Sequence, residues 1–245
     1  MNETIITSKQ NNLIKEASKL KQKKYRNISN TFLVEGNHLV NEAYQAGLIE
    51  IIFYVETCDF KNVEAYQVSQ VVLDSLTEVV ANQGIAAVCR KPIIFNDFKK
   101  VLLLDNVQDP GNIGTLIRSA VSFGFDTLVA ENSVDFYNDK VIRSTQGALF
   151  KINLLTGNLV QFIKKNNDIE FYVTDLKSDC YLEDLKIKSK LIGIVLGNEG
   201  QGVREEIISL VNNSFKLRMS NMESLNVGVA GSIILYELAK RSELL

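Results

Sequence analysis

The chain has 245 residues, 46% of them hydrophobic, a formal net charge of −2 and a mean hydropathy of +0.02, the profile of a soluble globular protein with one large or two ordinary domains. No apolar run approaches the roughly 18 residues that a membrane helix needs, and the polar start Met1-Asn-Glu-Thr lacks a signal-peptide core. One histidine, His38, and three scattered cysteines, Cys58, Cys89 and Cys180, argue against a metal site or a Ser-His triad and fit a reducing cytoplasm.

The first 30 residues hold seven lysines and arginines against two glutamates. That stretch reads either as the footprint of a nucleic-acid contact or as a solvated helix face. Leu13, Ile14, Ala17 and Leu20 fall at helical spacing and predict a helix over 8–23. A buried strand at 32–34, a helix over 36–46 ended by Gly47, and a strand at 49–55 follow. Ser75-Leu-Thr-Glu78 has the pattern of a capping box and predicts the start of a short helix. A strand at 85–89 precedes Arg90-Lys91-Pro92, which breaks the pattern and marks a domain boundary between 1–92 and 93–245. Val101-Leu-Leu-Leu104 is the continuous apolar run of a central parallel strand. Beyond it come a helix over 112–123, a strand at 127–130, helices at 139–145 and 159–165, and strands at 171–174 and 191–196. A helix at 203–210, a strand at 214–219 and a helix at 225–241 complete the series. Alternation of this kind predicts an α/β fold with a mostly parallel sheet covered on both faces.

Three short blocks rich in Gly and Asn stand out. The first, Asp-Asn-Val-Gln-Asp-Pro-Gly-Asn-Ile-Gly-Thr-Leu-Ile-Arg at 105–118, carries the turn dipeptide Pro110-Gly111, with Gly111 expected at positive φ and Asn112 as helix cap. Gly114 clears the first turn, and Arg118 lies one turn further on the same face. A cation beside a bare backbone patch suits a phosphate or a polarised hydroxyl; the plain alternative is a capped helix with a surface arginine. The second block, Ile-Val-Leu-Gly-Asn-Glu-Gly-Gln-Gly at 194–202, follows a strand and can wrap a ligand with main-chain groups, or serve as an ordinary strand-to-helix turn. It matches neither a phosphate loop nor Gly-x-Gly-x-x-Gly. The third, Met-Glu-Ser-Leu-Asn-Val at 222–227, opens a helix whose small residues Gly228, Ala230, Gly231 and Ser232 permit close packing; its bland reading is N-capping by Ser224. Loops at strand ends of an open α/β sheet are where ligands bind, so three such blocks suggest one composite site.

Taken together, the blocks resemble the SpoU/TrmH family of RNA ribose 2′-O-methyltransferases, in the SPOUT class, over nearly the whole chain. Arg143-Ser-Thr-Gln-Gly-Ala148 resembles a further family block. Lys23-Lys-Tyr-Arg26, Phe32-Leu-Val-Glu-Gly36 and Gln83-Gly84-Ile85 resemble a small α/β/α RNA-binding domain akin to a ribosomal-protein fold. The resemblance implies a C-terminal α/β trefoil-knot domain at 93–245, preceded by the RNA-binding domain at 1–92. It implies S-adenosylmethionine bound within the knot at Gly197, Leu217 and Leu225, with Leu196 and Met219 nearby. It also implies a cytoplasmic homodimer with its active site at or near the dimer interface, needing no metal and no membrane. Asn112, Arg118, Glu199, Ser224 and Asn226 match the polar site residues. Arg118 would act on the ribose hydroxyl by positioning it, Glu199 would fix Asn112 or Arg118, and Ser224 and Asn226 would orient substrate or cofactor. Lys23, Lys24, Arg26, Glu35 and Arg143 are the implied RNA contacts. The implied substrate is rRNA; a tRNA enzyme, or a catalytically silent RNA-binding or ribosome-assembly factor, are the alternatives. The third motif departs from the family pattern: Arg218 and Asn221 stand where Pro and Gly are usual, and the segment is about one residue short.

Overall fold

The computed structural model describes residues 5–79, 82–187 and 189–241; Met1 to Thr4, whose polarity argued against a signal peptide, lie outside them. Contacts divide the chain into two compact units, Met1–Ile93 with Tyr137–Phe150, and Ile94–Phe136 with Lys151–Leu245.

The first unit is built on a four-stranded sheet in the order β1-β4-β2-β3. Its strands are β1 (Thr31–Glu35), β2 (Ile49–Tyr54), β3 (Glu64–Gln67) and β4 (Ile85–Arg90). The central β4 is buried from Ile85 to Cys89, as its uninterrupted apolar sequence requires. Helices α1 (Asn12–Lys19) and α4 (Gln70–Leu76) supply Ile14, Ala17, Val72, Leu73 and Leu76 to a core with Phe53, Ala86 and Val88. Helix α3 (Asn37–Gln45) packs on β1, β2 and β4 through Leu39, Val40 and Ala43. Helix α6 (Asp139–Thr145), from the middle of the sequence, belongs to this unit and packs on β1. Tyr137 and Phe150, which flank it in sequence, both pack against Phe32, with ring centroids 4.7 and 6.2 Å away.

Two local expectations change here. The helix expected over 8–23 ends at Lys19, and a separate α2 (Lys23–Ser29) follows. Asn11 caps α1 by accepting from the Leu13 amide. The buried Arg26 of α2 donates through Nη1 to the carbonyls of Leu20 and Lys21, which satisfies the broken end. The apparent capping box at 75–78 sits at the end of α4, not at a start: Thr77 takes extended geometry, and the Glu78 amide goes to Glu35 Oε2. The short edge strand β3, whose sequence has no apolar run, was not anticipated.

The second unit has a six-stranded sheet in the order β10-β8-β9-β5-β6-β7, every pairing parallel. Its strands are β5 (Lys100–Asp105), β6 (Thr127–Glu131), β7 (Asn153–Thr156), β8 (Glu170–Thr174), β9 (Ile192–Leu196) and β10 (Ser214–Phe215). The chain runs outward from β5 to β7, returns to β8, then inserts β9 between β8 and β5. The order therefore reverses at the β5/β9 pair, which makes the C-terminal ends of those strands the switch point where ligands bind. Helices α5 (Pro110–Ser122), α7 (Leu159–Lys165), α8 (Glu205–Val211) and α9 (Val227–Arg241) cover the sheet. The strand expected at 214–219 keeps only its first two residues, and 216–226 form a loop.

Close packing of α9 on α5 depends on small residues, as expected. A Cβ on Gly231 would lie 2.3 Å from Leu116 Cδ2 and 2.7 Å from Leu196 Cδ1. The Ser119 and Ser232 hydroxyls meet at 2.7 Å across the same contact.

Candidate active site

The three sequence blocks converge at the ends of β5 and β9. Asp109, not Asn112, caps α5: its Oδ1 accepts from the Asn112 amide at 2.8 Å, with Pro110 in the first helical position. Gly111 is not among the positive-φ residues. Its missing side chain leaves room for the cap, since a Cβ there would stand 3.0 Å from Asp109 Oδ1. With the cap supplied by Asp109, the Asn112 side chain is free for other use. It is only 8% exposed, and its Nδ2 donates to Glu199 Oε1 at 2.9 Å.

Glu199 belongs to a tight loop after β9. Asn198 and Gly202 exchange both main-chain hydrogen bonds at 3.0 Å, and Asn198 Oδ1 accepts from the Gly200 and Gln201 amides. Asn198 Nδ2 donates to the Asn106 carbonyl, which fastens this loop to the one after β5. Asn226, not Ser224, caps α9, accepting from the Gly228 and Val229 amides. The side-chain oxygens of Asn112 and Asn226 both stand 3.2 Å from where a Gly228 Cβ would be. Glu199, Asn112 and Asn226 are thus one cluster drawn from all three blocks.

Beside that cluster is a cleft of about 470 Å³, within the range of small-ligand sites. Leu196, Gly197, Leu217, Met219 and Leu225 line it, together with Glu199 and Ser224. Asp175 and Lys177, just after β8, also line it and were not foreseen; their place beyond a parallel strand end was the available signal. An adenosine bearing a sulfonium needs apolar surface, main-chain edges and negative potential. The leucines and Met219, the glycine loop, and the carboxylates Asp175, Glu199 and Glu223 fit those needs.

Arg118 stands apart. It is exposed on α5, does not line the cleft, and has no hydrogen bond or ion pair among the described residues. The altered third motif has its own support: the Arg218 guanidinium lies 3.8 Å from the Tyr181 ring centroid and pairs with Glu183 at 2.6 Å.

A network that sequence reading missed holds these loops to the sheet. Asp105, 1% exposed at the end of β5, accepts from the Arg204 amide at 2.9 Å and from Arg204 Nε at 2.8 Å. Arg204 Nη2 reaches Glu131 Oε2, and Glu131 also takes the Leu159 amide at the start of α7. Burial opposes ionisation of Glu131, but the Leu159 amide and Arg204 outweigh it and hold the carboxyl below its usual range. Asp105→Ala leaves a buried amide and a guanidinium edge unpaired. It is expected to cost about 2–3 kcal/mol, at or below the range for fully buried pairs because Arg204 keeps Glu131 and some solvent. Urea unfolding of the second unit's transition checks this, and an unchanged midpoint would refute it.

In the first unit Lys23 and Lys24 are exposed, as an RNA contact requires. Arg26, 5% exposed, faces inward to the α1–α2 turn, which corrects its expected role as a direct contact. Arg143 is engaged by Glu35 at 2.7 Å and Asp139 at 2.9 Å, so both Glu35 and Arg143 are committed to an internal ion-pair cluster. His38 meets the Gln146 carbonyl, and Cys58, Cys89 and Cys180 are unpaired thiols. Among the described residues no cluster suits a metal ion, and no helix is long and apolar enough to cross a membrane.

The sequence pattern of the SpoU rRNA Methylase family matches residues 99–236, and that of an MRM3-like substrate binding domain matches residues 11–87. The chain is 36% identical over 244 residues to the Bacillus subtilis 23S rRNA (guanosine(2553)-2'-O)-methyltransferase RlmP, covering 95% of this chain and 98% of that one. The fold resembles an rRNA methyltransferase from Sinorhizobium meliloti with a TM-score of 0.88 at 25% identity, covering 99% of both chains. The AdoMet-bound form of that enzyme gives a TM-score of 0.87 at 25% identity over the same share of each chain. The chain belongs to the SpoU rRNA methylase family.

Proposed function

We propose that this protein methylates a ribose 2′-hydroxyl of ribosomal RNA, with S-adenosylmethionine as methyl donor. The observation that carries the reading is the Asn112–Glu199–Asn226 cluster beside an apolar, carboxylate-edged cleft at the switch point. The relative from Bacillus subtilis, similar over almost its whole length, supports both reaction and RNA class.

When bound, the cofactor supplies an electrophilic methyl group on a sulfonium, so the protein's task is alignment and treatment of the hydroxyl. Leu196, Gly197, Leu217, Met219 and Leu225 would hold the cofactor. Glu199 fixes the Asn112 amide, and Asn226 fixes the start of α9 against it. Arg118 positions the hydroxyl and a neighbouring phosphate through its planar fork of donors. Residues 1–92 hold RNA through Lys23 and Lys24, with Arg26 and Glu35, and Arg143 from the 137–150 segment, shaping that unit; the remainder of 93–245 carries the chemistry. The return of α9 onto α5 after β10 has crossed to the far edge supports a knotted C-terminal passage, rare as true knots are. The working compartment is the cytoplasm.

The active form is a homodimer. Val229, Ile233 and Tyr236 form an exposed apolar stripe on α9, with Phe123 edge-on to Tyr236 at 5.5 Å. A second copy seated there would explain an Arg118 that has no partner among the described residues on the neighbouring helix. Ile233→Glu is expected to convert the dimer to monomer in light scattering, with helicity kept and methylation lost; an unchanged mass would remove this interface.

Ribose-methylation mapping of rRNA and tRNA, from cells with and without the gene and complemented by wild type or Arg118→Ala, tests the function. One rRNA 2′-O-methyl that returns only with wild type is the expected outcome. A tRNA site in its place would reassign the substrate, and no change at any site would favour a silent RNA-binding factor.

A further inference from the structure

We propose that the first unit carries a slot for one unstacked nucleobase of the RNA, walled by Tyr25 and separate from the methyl-transfer site. The proposal rests on the RNA reading above and adds a specific receptor to it. A cleft of about 310 Å³ opens between α1, α2 and β2, large enough for a flat aromatic ligand. Its floor is apolar, from Leu13, Ala17, Phe53 and Val88. Tyr25 is half-buried at its wall, and Ile28, 71% exposed, stands at its mouth.

The charge around the slot selects the ligand class. The Lys19 and Lys24 ammonium groups lie 5.8 and 5.9 Å from the Tyr25 ring centroid. Lys19 is neutralised by Glu16 at 2.6 Å, whereas Lys15, Lys23 and Lys24 have no carboxylate partner among the described residues. Glu50 offers a carboxylate at the rim, while the Ser29 and Thr31 hydroxyls, 2.7 Å apart, are spent on each other and on the Tyr25 carbonyl. An aromatic wall for stacking, a carboxylate to accept from a base edge, and cations without a carboxylate partner among the described residues for flanking phosphates are what single-stranded RNA needs. A merely solvated helix face would account for the lysines but not for an apolar recess with an aromatic wall beneath them. Arg26 contributes indirectly: by clasping the carbonyls of Leu20 and Lys21 it sets the turn from which α2 presents Lys23, Lys24 and Tyr25.

The chain contains no tryptophan, so Tyr25→Trp in the full-length protein creates a single emission reporter inside the slot. Titration with a short single-stranded oligoadenylate should give saturable quenching, and an abasic oligomer of the same length should not. Equal quenching by both, or by neither, overturns the slot. Should the Trp variant fail to fold, binding of target rRNA fragments by Tyr25→Ala and Tyr25→Phe decides. Alanine is expected to weaken binding roughly 5- to 100-fold, the loss of one stacked base, and Phe to restore it. An alanine variant that binds as wild type overturns the proposal. Calorimetry with S-adenosylmethionine separates this from the enzyme reading: Tyr25→Ala should bind the cofactor normally, whereas a wild-type protein that binds none would sink the methyltransferase reading alone.

Discussion

Arg118→Ala is expected to lower the single-turnover methylation rate by about 10²- to 10³-fold, the range for loss of one group that positions or stabilises the reacting oxygen. The same change should leave thermal stability and cofactor affinity almost untouched. Arg118 is exposed, lies outside the cleft lining and has no partner among the described residues, so its removal breaks nothing in the fold. That separation makes the experiment informative, because a fall in both rate and melting temperature would assign the residue a structural duty that the geometry does not show. Arg118→Lys refines it. Lysine keeps the positive charge but loses the planar fork that can hold a hydroxyl and a phosphate together. A lysine variant close to alanine supports positioning by the fork; near-normal turnover would mean that charge alone suffices.

How much of this was legible in the sequence depends on whether the cause was local. β4, β5 and β9 are continuous apolar runs because they are buried on both faces, and each was readable as a strand. β3 and β7 lie at sheet edges, where a strand needs neither length nor apolar content, and both escaped notice. The break between α1 and α2 is enforced by Arg26 reaching back to two carbonyls, which helical spacing cannot reveal. The false capping box failed for the same reason: the Glu78 amide is satisfied by Glu35, 43 positions away. At the site, the glycine-rich blocks announced themselves because tight loops impose local demands on residue type. Resemblance, not periodicity, supplied the expectation that Glu199 fixes Asn112 or Arg118; of the two it meets Asn112, 87 positions away. The Asp105–Arg204 pair, 99 positions apart, had no sequence signal at all. Capping roles at both helix starts were placed on the wrong asparagine or serine, since Asp109 and Asn226 each sat one choice away among several competent caps.

The most demanding position in the site is Gly197, and Gly197→Ala is expected to cut cofactor affinity by roughly 100-fold or more while leaving the first unit folded. A Cβ there would lie 2.1 Å from the Gly202 carbonyl carbon and 2.2 Å from the Val203 nitrogen. Both are main-chain atoms, so no side-chain rotation relieves the overlap. The loop must open, and opening it breaks the paired hydrogen bonds between Asn198 and Gly202 and displaces Glu199 from Asn112. Overpacking that moves backbone costs about 1–3 kcal/mol, and the lost hydrogen bonds add to it. If most of that cost falls on the binding-competent loop, cofactor affinity drops by roughly 100-fold or more, at 1.4 kcal/mol for each factor of ten. Gly200→Ala is the control within the same loop. Its Cβ would meet only Asn198 Oδ1, at an ordinary 3.6 Å, and its backbone is not in the left-handed region. That variant should bind S-adenosylmethionine within a few-fold of wild type in calorimetry. Equal losses in both variants would mean that loop flexibility, and not the close approach of two backbone segments at Gly197, governs the site.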